Sequence, residues 1–556
     1  MTDPWQHYQS VQWDDRPCSV ADLLLDDDDD DNISFTDGMM EFLEKQNDLD
    51  KAELMLLDSL MSDDAEEEQS QASSSTKKPR RRACKARMPH YFNDNGEAVH
   101  LSPKQTAWYF VYVKNPPLGD AKFEAKFRRR FRMPYAEFPK LLEKVKADDS
   151  FRRWISKDAV GKESSPIELL LLGSLRHLGR GLTFDDLEEH TAISEETHRQ
   201  FFHVFITFGR DFLYPFYVSM PTTAEQYQTN THEFNVGGLT GAGFSTDGTH
   251  VIMWNCAHNL KQANTGFKQS HPTRSFNVSC NHRKKILYST DGHPGRWNDK
   301  TLAIMDKFVC ATHEGKILQD VTFELASWKE GVGSEVQCNK CRGAWGTCDN
   351  GCHRWTCMQA PAKVNSLVIE QRLSEWIESF RKDIECTFGT LKGRFQMLKT
   401  GIRVEGIETT NKMWKTCCAL HNMLLEVDGL NAEWQEGVTA TRRGRQQSDY
   451  LGALGDNSPS HMHQCSPFAV ERMNDNQLRQ FGGLEHARAS HQEREELLVP
   501  AEELLMADDD DEDHIEIDED GVIKLNSLSY KTFRLRLVQH FDILHRQNKI
   551  KWPQRK

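Results

Sequence analysis

The sequence predicts an α/β protein in which an all-α segment precedes a mixed core and acidic, disordered arms lie outside both. Three observations predict this. Apolar residues recur at three- and four-residue spacing over 166–209 and again over 370–394 and 409–426, the period of amphipathic helices. Short β-rich runs lie between those stretches, at 244–254, 275–280 and 285–288, with acids at their ends. Strands first and long helices after them fit a mixed core. Finally, residues 1–76 and 501–520 are acidic and poor in apolar surface.

Residues 1–76 hold 22 acids and 3 bases, including the Asp run at 26–31, three Glu at 66–68 and a Ser-rich stretch at 70–76. Such a composition buries too little apolar surface to offset ordering entropy, so the segment is expected to be disordered. Short amphipathic pieces such as 42–60 are candidates for folding on a partner. Seven bases in eleven residues follow: Lys77, Lys78, Arg80, Arg81, Arg82, Lys85 and Arg87. They read as a nuclear-localisation signal or a nucleic-acid arm, with a solvated linker as the plain alternative.

Further along, Phe123, Phe127, Phe131 and Phe138 alternate with Arg128, Arg129, Arg130 and Arg132. This is either a basic helix facing phosphate or an amphipathic helix with its polar side in water. Pro166 starts a helix carrying Leu169, Leu170, Leu172, Leu175 and Leu178, and Gly179 with Gly181 ends it. A second short helix is expected over 184–190. Ser194 caps a third that carries Phe201, Val204, Phe205 and Phe208, with Glu195 and Glu196 in its first turn. Three short helices with a tight turn before the last resemble a helix-turn-helix, although the last offers a groove only His198, Arg199 and Gln200. The expected organisation is thus an acidic arm with its basic segment (1–95), a helix-turn-helix-like region (105–235), an α/β domain (236–430), a low-complexity linker with an acidic run (431–524) and a small helical basic appendage (525–556).

The whole chain has 556 residues and a net charge of −15, from 84 acids and 69 bases. The arms account for the sign. Residues 1–76 and 501–520 together contain 34 of the acids and 3 of the bases, so the remainder carries 66 bases against 50 acids, or +16. A basic body with acidic arms suits a polyanion partner. No apolar run approaches 18 residues and the N-terminus lacks a hydrophobic signal region, which speaks against a membrane span and a secretory signal. The 14 cysteines are then expected as reduced thiols or metal ligands.

Four acids stand out by context. Asp247 lies in Thr246-Asp247-Gly248-Thr249-His250 after an apolar strand, and Asp299 closes Pro294-Gly295-Arg296-Trp297-Asn298-Asp299 before a helix. Asp349 sits in Asp349-Asn350-Gly351, and Glu385 lies in a helix beside Arg381. Each has a plainer reading: hairpin turns for Asp247-Gly248 and Asn350-Gly351, an N-cap for Asp299, an i,i+4 partner of Arg381 for Glu385. Yet Ile377, Phe380, Ile384, Phe388, Leu391 and Phe395 form one apolar stripe, and Glu385 lies just off it, aligned with Arg381 and Lys392. Carboxylates brought from separate elements are what hard divalent cations prefer, and two such ions serve in-line phosphoryl displacement.

In order, these motifs resemble the PIF/Harbinger transposases, which are DDE-superfamily endonucleases. The resemblance runs over about 160–430. It includes Arg381-Lys382-Asp383-Ile384-Glu385-Cys386-Thr387-Phe388-Gly389 and Cys417-Cys418-Ala419-Leu420-His421-Asn422-Met423, similar to the family's closing helix. It implies an RNase H-like DDE catalytic core behind a helix-turn-helix-like segment. Asp247, Asp299 and Glu385 match the catalytic triad, with Asp299 preferred to Asp291, and Asp349 matches a further metal-associated acid. Mg2+ or Mn2+ in a two-metal site, DNA as substrate, a Myb-like DNA-binding accessory partner, a homo-oligomeric state and a nuclear location are what the resemblance and the basic segment imply together. Arg199, His250, Arg381, Lys382 and Lys392 are candidate DNA contacts. A catalytically silent, host-retained DNA- or chromatin-binding protein is the second reading.

One departure marks the chain: Cys352 follows Asp349-Asn350-Gly351 where the family tends to have Tyr. It belongs to the group Cys338, Cys341, Cys348, Cys352, His353 and Cys357. This group reads either as a tetrahedral structural zinc site or as buried reduced thiols.

Overall fold

The computed structural model describes residues 91–92, 95–157, 164–266, 270–329, 335–349, 357–361, 368–404, 406–439 and 515–554. The basic segment 77–87, most of the acidic stretches and linker, and Asn350, Gly351, Cys352 and His353 lie outside the described residues. Among the described residues of the unit Met1–His100, Tyr91–Phe92 pairs antiparallel with Ala98–Val99. The unit Leu101–Lys556 holds the other described elements.

Its first layer is helical: α1 (Ala121–Phe131), α2 (Glu137–Ala147), α3 (Ile167–Arg180), α4 (Phe184–Thr191), α5 (Glu195–Phe208) and α6 (Ala224–Val236). The caps are written in the sequence. Asp120 accepts from Lys122 N–H, Thr183 and Asp186 form a capping box, and Ser194 accepts from Thr197 N–H. Gly179 lies inside α3, and Gly181 at φ 72° ends it. Phe123, Phe127, Phe131 and Phe138 all turn inward, as both readings of the Phe/Arg stretch require, while Arg128 and Arg129 are exposed and Arg130 and Arg132 half-buried.

The sheet behind this layer is built from β1 (Ala242–Ile252), β2 (Thr273–Cys280), β3 (Ile286–Ser289), β4 (His293–Pro294), β7 (Trp345–Thr347) and β8 (Met358–Gln359). Strands β5 (Thr322–Trp328) and β6 (Val336–Arg342) form a separate hairpin between them. The order across the main sheet is β8-β7-β1-β2-β3, with β4 on β2. Strands β1, β2 and β3 are antiparallel neighbours, whereas β7 runs parallel to β1 and β8 parallel to β7. The connection from β4 carries α7 (Asp299–Ile304) and α8 (Lys307–His313), where a single helix over 301–308 is expected; Asp306 interrupts it by capping α8.

Two long helices close the core, α9 (Val368–Arg394) and, after the short α10 (Gln396–Thr400), α11 (Ile407–Val427). The predicted stripe on α9 is buried at Ile377, Phe380, Ile384, Phe388, Leu391 and Phe395. Phe276 of β2 stacks on Trp414 of α11 with centroids 4.4 Å apart. One hydrophobic cluster joins α1, α3 and α5 to β1, β2, α9 and α11, so the helical layer shares its core with the sheet. Gly209 shows how closely they meet, since a Cβ there would stand 2.1 Å from Thr416 Oγ1 of α11.

The C-terminal segment does not stand apart as an appendage. Its strand β10 (Ile523–Lys524) pairs with β6, its helix α12 (Tyr530–Arg546) packs on β5 and α9, and β11 (Lys551–Gln554) pairs with β9 (Gln435–Thr439). Trp552 is fully buried, 5.2 Å from Trp376 and 4.9 Å from Phe380 of α9. Arg372 and Asp542 form a buried ion pair at 3.1 Å between α9 and α12. Apolar residues on this segment, absent from its basic average, drive that docking. Among the described residues no helix is long and apolar enough to cross a membrane.

Candidate active site

Asp247 occupies the middle of the eleven-residue strand β1, so the Asp-Gly pair is not a turn. Side chains alternate along a strand, which puts Asp247 on the same face as Thr249. Lys392 of α9 donates to Thr249 Oγ1 (2.7 Å) and to the His250 carbonyl (2.8 Å), so this face of β1 looks toward α9. Gly248 has a different duty. A Cβ there would lie 2.8 Å from Asp299 Oδ1 and 2.9 Å from Leu302 Cδ1, so glycine permits the start of α7 to approach the strand.

Asp299 is not the helix cap. Asn298 accepts from Thr301 N–H at 2.9 Å, leaving Asp299 as the first helical residue beside Gly248. Asp291, the rival for this place, is exposed and lies 3.7 Å from Lys415 instead. The parallel pairing of β1 with β7 ends at Ser245↔Thr347, and Asp349, two residues beyond β7, lies close enough for its charge to act on Asp247. From α9, Arg381 reaches this group: it lies 3.7 Å from Asp349 and donates to Glu385 at 3.1 Å and Glu378 at 2.7 Å. Lys382 adds contacts to Glu385 at 3.1 Å and Glu378 at 3.2 Å.

Burial, followed by the charge of Asp299, pushes the Asp247 carboxyl up to about 7. The Gly248 N–H, at 2.8 Å, and Arg381 oppose that rise, and Asp349 adds to it. Burial works to lower the Arg381 pKa, but Glu378, Asp349 and Glu385 outweigh it and the net direction is up. Burial alone takes Lys392 down to about 8. The site is therefore a carboxylate cluster whose repulsion is partly met by one buried guanidinium.

Among the described residues, no three His, Cys, Asp or Glu side chains are grouped tightly enough to hold a metal ion as they stand. The donor chemistry nonetheless fits a hard divalent cation: the acids converging here offer oxygen only, and a cation relieves the repulsion that raises Asp247.

The candidate DNA contacts are all engaged within the chain. Arg199 is held by Glu195 and Glu196 on its own helix, so α5 presents a neutralised face. His250 faces the Thr273 and Ser275 hydroxyls at 3.1 and 2.9 Å, while Arg381, Lys382 and Lys392 have the partners given above. For the cysteines, strand geometry separates the expected zinc pair. Cys338 and Cys341 are three apart on β6, and the pleat sends them to opposite faces, Cys338 to solvent and Cys341 into the core. Cys348 and Cys357 are buried thiols, which favours the second reading of the group. Arg381, expected as a DNA contact, lies instead between carboxylates: the i,i+4 pairing with Glu385 is present as the plainer reading had it, and the approach to Asp349 is a tertiary contact that spacing does not show.

Residues 246–422 match the family model described as DDE superfamily endonuclease, a span that takes in Asp247, Asp299, Asp349 and Glu385. The match supports an endonuclease domain of that superfamily within the chain. No curated protein and no solved structure matches it.

Proposed function

We propose that this protein is a divalent-metal-dependent DNA endonuclease and transposase of the PIF/Harbinger DDE type, acting in the nucleus. The observation that carries the proposal is the convergence of the Asp299 and Asp349 charges on Asp247, with Arg381 tying Asp349 to Glu385. The family match over 246–422 supports the same reading. So does the sheet: three antiparallel strands followed by two parallel ones, in the order β8-β7-β1-β2-β3, is the arrangement expected of an RNase H-like core.

Asp247, Asp299 and Glu385, with Asp349, are the residues that would hold Mg2+ or Mn2+. When bound, such ions activate a water or a 3′-hydroxyl and stabilise the leaving oxygen of the phosphodiester. The chain itself fixes the carboxylates. Gly248 lets Asp299 approach, the parallel pairing of β7 with β1 leads the chain to Asp349 beside Asp247, and the buried stripe of α9 anchors the helix that carries Glu385. Arg381 holds Glu385 and Asp349 in place before substrate arrives. Residues 77–87 would direct the protein to the nucleus, and a Myb-like DNA-binding partner would supply sequence recognition that α5, with Arg199 neutralised, does not offer.

Nicking of supercoiled DNA in Mg2+ or Mn2+ tests the reading. Wild type is expected to nick, and Asp247→Asn and Glu385→Gln to lose at least about a hundredfold in rate, the order associated with several kcal/mol of lost charge stabilisation. Equal activity in the three proteins overturns it. So does an inactive wild type with both metals, which would favour a silent, host-retained DNA- or chromatin-binding protein.

A further inference from the structure

Arginines 130 and 132, at the end of α1, and arginines 176 and 180, in the last turns of α3, meet at one corner of the helical layer. Arg132 Nε donates to the Gly179 carbonyl at 3.1 Å, and Arg176 Nη1 donates to the Arg130 carbonyl at 3.2 Å. Arg130 donates to the Tyr112 hydroxyl. Arg180 is exposed, yet its charge is close enough to pull down the pKa of both Arg132 and Arg176, in each case after burial as the larger cause. Arg130 and Arg132 also bear on Arg176. Among the described residues no carboxylate pairs with any of the four.

The corner is built rather than incidental. Arg132 sits at φ 65°, a left-handed conformation that costs a side-chain-bearing residue energy and is retained when the surroundings demand it. That turn lays its side chain across Gly179, where a Cβ would stand only 2.6 Å from Arg132 Cγ. Arg176 Nε is enclosed and has no hydrogen-bond partner, so one donor is already desolvated and unused. Four like charges held together around an unused donor form a receptor for an anion. Guanidinium forks match the paired oxygens of a phosphodiester.

We propose that Arg130, Arg132, Arg176 and Arg180 form a phosphodiester-binding site that grips the backbone of duplex DNA in addition to the carboxylate centre. The assignment rests on the DNA-acting reading above, but it does not require cleavage. Arg199 of α5 and Arg381 and Lys382 of α9 are spent on neighbouring carboxylates, whereas these four have no such partner among the described residues. The corner contacts phosphate only, so it contributes affinity and orientation without base specificity.

Binding of the full-length protein to a labelled duplex, measured by fluorescence anisotropy in EDTA over a series of salt concentrations, tests the site apart from catalysis. Each phosphate contact contributes about 0.9 to the slope of log affinity against log salt. Arg180→Gln is expected to make that slope shallower by about one, and Arg130→Gln/Arg180→Gln by about two. Arg180→Lys is expected to keep the slope. Arg180 is exposed and has no carboxylate partner among the described residues, so Arg180→Gln is expected to melt no lower than wild type; its weakened binding would then not reflect misfolding. Wild-type affinity and slope in the double variant overturn the proposal. They overturn it equally if that variant instead loses affinity for a poly-aspartate peptide, since the cluster would then serve an acidic polypeptide. A wild type that binds with a steep slope but never nicks would sink the endonuclease reading and leave this site standing.

Discussion

The carboxylate site and the arginine corner treat charge in opposite ways. Around Asp247, Asp299, Asp349 and Glu385 the chain supplies its own counter-charge: Arg381 and Lys382 are engaged by Glu378, Glu385 and Asp349 at 2.7 to 3.7 Å. At the junction of α1 and α3, four guanidinium groups face one another without a carboxylate among the described residues. Closeness to the acidic centre thus makes a cation a poor candidate for phosphate, because its charge is already matched. The comparison also qualifies the +16 of the body. Substrate responds to charge left uncompensated, and much of what α9 carries is compensated.

Removing a cation should therefore have opposite consequences in the two regions. Arg381→Met takes a buried guanidinium from between carboxylates that are themselves about a third to nearly half exposed, so the loss is expected at about 1 to 2 kcal/mol, below that of a fully buried pair. Denaturant unfolding of the metal-free protein is expected to show a loss of that order. Millimolar Mg2+ should restore more stability to the variant than to wild type, because the cation takes over the neutralisation. An unchanged midpoint would break the comparison, since Arg381 would then not be the counter-charge of the site.

Asp247 provides the next test, through pH. Its carboxyl, ordinarily near 3.8, is raised to about 7, so between these values the folded chain keeps a proton that the unfolded chain has released. Stability from this group accordingly falls as pH rises through that window. Asp247→Asn removes the cost while leaving an oxygen to accept from the Gly248 N–H. At pH 8 the variant is expected to be more stable by on the order of 2 kcal/mol, discounted from about 1.4 kcal/mol per pKa unit for partial exposure. Near pH 4 the gain should vanish. A gain that is constant with pH would mean that packing, not ionisation, separates the two proteins.

The two regions also differ in what local pattern revealed. Glu385 was legible because the stripe from Ile377 to Phe395 sets the phase of α9 and so places one carboxylate at the border of its buried face. Asp247-Gly248 was ambiguous, since the same dipeptide serves a turn or a strand; the contact between Gly248 and Asp299 that decides it is tertiary. Strands of two or three residues, such as β7, β8 and β10, are too short to show a period, so neither the sheet order nor the docked C-terminus could be read. Trp552 could not be placed from the basic residues around it, and its burial beside Trp376 joins segments far apart in the chain. The arginine corner was half visible. Residues 128–132 announced a basic helix, but the meeting with Arg176 and Arg180 depends on the turn at Arg132 and on Gly179 beneath it.

The smallest expected effect is the most direct measure of that corner. Arg180 is exposed, so its repulsion of Arg132 and Arg176 is heavily screened. Surface charge pairs are worth about 1 kcal/mol at most, and the like-charge case has a similar size with the opposite sign. Arg180→Gln should therefore raise the melting temperature slightly in low salt without DNA, by the equivalent of about 0.5 kcal/mol or less. The increment should shrink as salt approaches about 1 M, where the screening length falls to about 3 Å. In the presence of duplex DNA the sign should reverse, because wild type gains from a phosphate that the variant no longer holds. A variant that melts lower than wild type in both conditions would show that Arg180 has a structural partner, and the contrast between a compensated and an uncompensated region would fail at that residue.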